Sequence, residues 1–147
     1  MRYNRDVASG NASYERRADN LIVLLDRIAS DLGSSSALID ERIATAGGHF
    51  DSRADDVFFN VKGKMYGYAV ILNAVGQDFS TVIEDRRAGE IWTNMLTSMR
   101  TGAAMDPLIV INGEQDSMMS PSHLATLGFH LLRARTQLRE LADTLQK

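Results

Sequence analysis

Phe58, Val61, Met65, Tyr68, Leu72, Val75, Phe79 and Val82 follow one another in alternating steps of three and four residues. Only an α-helix brings that spacing onto one face, since a strand would distribute the same side chains over both of its faces. A helix with such a stripe must bury it against something of matching length. The rest of the chain supplies candidates. Tyr14, Ala18, Leu21, Leu25, Ile28, Leu32, Ser35, Ile39 and Ile43 form an earlier stripe. Leu124, Leu127, Leu131, Ala134, Leu138, Leu141 and Leu145 form a later one. A shorter set, Ile91, Trp92, Met95, Leu96 and Met99, lies between them.

These stripes predict helices over about 12–46, from Asp51 or Ser52 to near Glu84–Arg87, over 89–101, and from Ser120-Pro121 to the end. Gly47-Gly48 provides a stop, Asp55 and Asp56 favour a helix start, and Ser120-Pro121 is a capping hydroxyl followed by a proline at the first turn. Gly33 and the three serines after it make a weak point where the first helix is free to bend. Four amphipathic helices bury their stripes most simply against one another. The expected fold is all-α, an antiparallel bundle of three long helices and one short helix. Residues 1–11 form a flexible lead-in, and 12–147 a single bundle domain.

One stretch interrupts the helices. "MDPLIVINGEQDSMMSPSH", residues 105–123, holds both prolines and the only Asn-Gly pair. Its β-branched first half predicts an extended segment crossing the bundle near 105–120, with Ile109 and Ile111 as buried anchors and Asn112-Gly113 as a turn. Glu114 and Asp116 are expected in solvent. Gly63 and Gly67, four apart, predict a close helix approach inside the bundle.

Chemistry is sparse. The absence of cysteine removes disulfides, thiolate metal sites and cysteine nucleophiles. A net charge of −3 gives no general attraction to nucleic acid or to an anionic membrane. Thirteen of the sixteen basic residues are arginine, as a GC-rich coding bias also produces. His49 falls in a loop. His123 and His130 lie two helical turns apart, too far to share one metal ion. Adjacent carboxylates such as Asp55-Asp56 point about 100° apart on a helix and make no acid–base pair. No phosphate loop, dinucleotide fingerprint or nucleophile elbow occurs. The residues point to no enzyme, no cofactor, no metal, no nucleic-acid partner and no membrane span.

Read in order, "RADNL", "DDVFF…KG", "DFSTVIED", the Pro-led stretch closing on "NG", and "SHLATLGFHLLRAR" resemble the bacterial proteins grouped as a domain of unknown function, DUF2333. The resemblance covers most of Arg17 to Leu145. It touches Asp55, Asp56, Val57, Phe58, Gly63, Asp78, Phe79, Glu84, Asp85, Asn112, Gly113, His123, Arg133 and Ala134. Of these, Asp56, Asn112, Gly113, His123 and Arg133 are the candidate binding or structural residues. Members of that family resemble one another in a short cytoplasmic tail, one transmembrane helix and a larger extracytoplasmic part. The resemblance therefore implies an upstream anchor, the periplasmic side of a bacterial inner membrane, and an unknown protein partner in the envelope. The expected function is a non-enzymatic interaction or scaffold domain, with a small-ligand-sensing bundle as the alternative. An interaction domain requires an exposed apolar patch, and a sensor an enclosed pocket with convergent polar groups.

Overall fold

The computed structural model describes residues 17–45, 52–111 and 122–147, with Ser9 and Gly113. The lead-in apart from Ser9, Tyr14, Gly47-Gly48, His49, Asp51, Asn112, Glu114, Asp116 and Ser120-Pro121 lie outside the described residues. Five helices are present among those described: α1 (Ala18–Ala44), α2 (Ser52–Asp78), α3 (Ser80–Asp85), α4 (Gly89–Ala104) and α5 (His123–Gln146). There is no strand among them. Contacts fix the directions. Asp31 meets Tyr68 where Ser35 meets Lys64, and Lys62 meets Asp106 where Gly76 meets Trp92. Ser98 meets Gln137 where Gly102 meets His130. Rising numbers on one helix face falling numbers on the next, so α1, α2, α4 and α5 run alternately up and down.

The buried side chains of all five helices form one cluster. The α5 stripe is wholly inside it, from Leu124 to Leu145, and so are Leu21, Leu25, Ile28, Leu32 and Ile39 of α1, with Ser35 buried at its edge. On α2 the stripe divides. Phe58, Val61, Met65 and Leu72 are buried, whereas Tyr68, Val75, Phe79 and Val82 are only half-buried. A strict seven-residue repeat drifts by about 20° per repeat on a straight helix, so the line from Val61 through Tyr68 to Val75 moves off the core axis, and Val82 lies beyond the end of α2. Ala54 and Ala69 are buried in its place.

The second helix does not continue to Glu84. It bends at Phe79, although Phe79 N still donates to Val75 O and Ile83 N to Phe79 O. α3 then closes with Arg87 N donating to Glu84 O and Ala88 N to Ile83 O, and Arg87 takes a φ of 53°. This is the paired-bond helix ending in which a left-handed residue reverses the chain. Here it turns α3 into α4, with Ala88 buried on Ile83. α1, by contrast, passes its weak point unbroken. The Ser34 and Ser35 hydroxyls bond back to Ser30 O and Asp31 O, and Gly33 lies beneath the Arg135 guanidinium. α5 begins two residues later than expected: Ser122, not Ser120, caps it by accepting from Ala125 N at 3.1 Å.

The glycine expectation is corrected. A Cβ built on Gly63 or Gly67 meets nothing within 4 Å, so neither sits at a close approach. The close approaches are at Gly76, where a Cβ would lie 2.5 Å from Trp92 Nε1, and at Gly102, where it would lie 2.5 Å from Met65 Cε. Trp92 is buried and its indole has little room to shift, so Gly76→Ala should cost about 1–3 kcal/mol. Gly67→Ala should be stabilising by up to roughly 1 kcal/mol, because it only restores helix propensity. Paired urea melts of the two variants check this; equal effects would remove the packing argument.

The junction of α1 and α2 is the loosest side of the bundle and is bridged by polar groups. Lys64 Nζ lies 3.1 Å from Asp31 Oδ2 and donates to Ser35 Oγ at 3.2 Å, while Tyr68 OH donates to Asp31 Oδ2 at 3.0 Å. Burial raises the Asp31 pKa, but the hydrogen bonds from Lys64 and Tyr68 outweigh it and hold the carboxyl below its ordinary range. Burial, then the Asp31 bond, pushes the Tyr68 phenol up. An aspartate whose folded pKa is depressed adds stability above its unfolded value of about 3.9. That contribution disappears as acid protonates the folded carboxylate. Asp31→Asn should therefore lower the melting temperature at pH 7 and converge on the wild type towards about pH 2. A gap that is the same at both pH values would show that the charge contributes nothing.

Candidate functional site

The sequence-predicted residues do not gather at one place. Asp56 is exposed near the start of α2, Arg133 is exposed on α5, and Gly113 and His123 are half-buried at the close of the crossing segment. Arg133 stands beside His130, whose imidazole is held below its ordinary pKa by burial first and by the Arg133 charge second. Among the described residues no three His, Asp or Glu side chains gather closely enough to hold a metal ion.

His123 has a definite task. Its Nδ1 accepts from Ile111 N at 2.9 Å, and its own backbone N donates to Ile111 O at 2.9 Å. The two bonds clamp the end of the crossing segment to the first turn of α5, and they require an imidazole with Nδ1 unprotonated. The clamp also decides which apolar side chain goes inward. Val110 is 3% exposed, whereas Ile109 is 57% exposed and Leu108 fully so. The expected anchors are thus corrected: Val110 takes the place given to Ile109, and Ile111 is half-buried. The chain bends at Leu108 and Ile109, leaving both in solvent, and the backbone of Ile111 is held by His123 with Val110 turned inward.

Two open grooves flank the bundle. The first, of about 410 Å³ between α2 and α4, is lined by Tyr66, Ala69, Val70, Asn73, Arg100 and the Ala103-Ala104 pair. Arg100 donates to Asn73 Oδ1 at 2.6 Å on its edge. Tyr66 and Val70 belong to a second stripe on α2, with Phe59 and Gly63 in steps of four, three and four; Phe59, Tyr66 and Val70 are each about half exposed or more. Lys62 stands 5.6 Å from the Phe59 ring centre and pairs with Asp106 at 2.9 Å. The second groove, of about 740 Å³, runs between α1 and α5. The outward stripe of α2 was visible in the sequence, masked there by the stronger inward one.

The clamp makes a measurable claim. His123→Ala should cost about 1–2 kcal/mol, by leaving the Ile111 N–H short of its acceptor. Val110→Ala should cost roughly 1–2 kcal/mol and Ile109→Ala under about 0.5 kcal/mol. Denaturant unfolding of the three variants checks the order; an Ile109→Ala loss equal to that of Val110→Ala would contradict the assignment.

No curated protein and no solved structure matches the chain. Among the described residues no helix is long and apolar enough to cross a membrane. A family profile does match, over residues 51–147, which carry α2 to α5, Asp56, Asn112-Gly113, the His123 clamp and Arg133; α1 with its "RADNL" lies before it. On that match the chain belongs to the bacterial family described as "uncharacterized protein conserved in bacteria", DUF2333.

Proposed function

We propose that this domain is a non-enzymatic protein-interaction module, held on the periplasmic side of a bacterial inner membrane by an anchor elsewhere in the longer protein. The observation that carries it is the outer face of α2. Phe59, Tyr66 and Val70 present apolar side chains to solvent along one line, and Tyr66 is 64% exposed. Gly63, on the same line, and Gly67 beside it have open space where a Cβ would stand. A partner helix could therefore approach α2 closely along its length, as helices do in grooves with spaced anchors. Both grooves are open to solvent instead of enclosed, which favours a macromolecular partner over a small sensed ligand. Location and anchor come from the family resemblance.

The test is photo-crosslinking in cells that express the full-length protein. A photoreactive residue at Tyr66 should trap a discrete protein adduct, and one at exposed Glu140 on α5 should not. Tyr66→Asp should abolish capture by a probe at Val70 while leaving the melting temperature within about 2 °C. If the Tyr66 probe traps no more than the Glu140 probe, the α2 face is not a partner surface.

A further inference from the structure

The groove between α1 and α5 differs from the first in carrying opposite charges two helical turns apart. Its apolar lining is formed by Ile39, Ile43, Phe129 and Leu132, and the last two are more than half exposed. At one end the Arg135 guanidinium lies over Gly33, with its Nε buried and without a hydrogen-bond partner. Two helical turns along, between Ile39 and Ile43, stands Asp40, which is exposed. Gly33 faces Arg135 and Ile39 faces Gly128 across the groove. The seven residues from Gly33 to Asp40 therefore separate the two charges by ~10 Å along the helix axis.

We propose that this face is a two-fold interface with a second copy of the chain. An axis in the contact plane and across the helices turns the face end over end. It lays α1 on α1 and α5 on α5 in antiparallel pairs, with the Phe129 and Leu132 side chains of both copies at the centre. Each Arg135 then meets Asp40 of the other copy, and symmetry makes the pair twice. An axis along the helices would instead set Arg135 against Arg135, at a cost in like-charge repulsion. An acidic peptide would satisfy Arg135 and leave Asp40 facing an apolar surface; a second copy answers both. Part of the guanidinium's desolvation is already incurred in the single chain, since its Nε is shut off from water. The inference is independent of the partner assigned to the outer face of α2.

Sedimentation equilibrium of the 147-residue chain tests it. A dimer should be populated by about 100 µM, and a chain that stays monomeric there overturns the proposal. Asp40→Arg alone, and Arg135→Glu alone, should each raise the dissociation constant at least about tenfold. Asp40 is exposed, so its variant keeps a folded chain, checked by an unchanged thermal melt. The double exchange, Asp40→Arg with Arg135→Glu, should return the dissociation constant to within about threefold of the wild type, which a merely damaged fold would not do. Single variants that dimerise as well as the wild type, or a double variant that fails to recover, overturn the interface.

Discussion

Burial of the α5 ridge is the constraint on which the rest of the molecule depends. Six leucines and Ala134 occupy every position from Leu124 to Leu145 in steps of three and four, and all are inside the core. Each leucine contributes roughly 1.5–3 kcal/mol by leaving water. α1 and α4 pack on either flank of this ridge as its main neighbours, and α2 reaches the core chiefly through α4. That order explains why the α1–α2 side is held by Asp31, Lys64 and Tyr68 in place of a continuous apolar seam. It also explains the two grooves. Each lies along the outside of a well-packed antiparallel pair, α2 with α4 and α1 with α5, where the ridges diverge.

The all-α bundle was legible because its stripes repeat at the helical period, and a period survives without knowledge of the partner. What the period does not carry is which helix comes nearest which. Gly63 and Gly67 have the spacing of a contact motif, yet they face outward. Gly76 and Gly102, with no motif around them, are where Trp92 and Met65 press against a backbone. Close approach depends on the size of the opposing side chain, and that is a property of the pair. The same holds at the crossing segment. Composition placed apolar residues there, but the choice of Val110 over Ile109 depends on a hydrogen bond from Ile111 to His123, twelve residues away. The bend at Phe79 left no breaker in the sequence, since its hydrogen-bond ladder is nearly continuous.

The site residues were legible as individuals and not as a constellation. His123 hydrogen-bonds Ile111 at the start of α5, while Asp56 and Arg133 stand apart from it on exposed surfaces. The apolar outer face of α2 escaped notice because a helix read for its strongest stripe is assumed to have a polar reverse. The matched family region begins at residue 51, so the helix that covers one whole flank of α5, and half of the charged groove, lies before the matched span.

The reciprocal bonds between Ile111 and His123 fix both ends of the stretch from 112 to 121 at a single point in space. For folding, the chain between them is a closed ring whose size scarcely matters. Each doubling of such a ring adds only about 0.6 kcal/mol of closure entropy. A single residue inserted between His123 and Leu124 would set His123 about 100° away from its place beside the leucine ridge. The ridge, whose burial outweighs two hydrogen bonds, would stay in the core and the clamp would be lost. The register of α5 is set by its leucines, and the clamp follows from it.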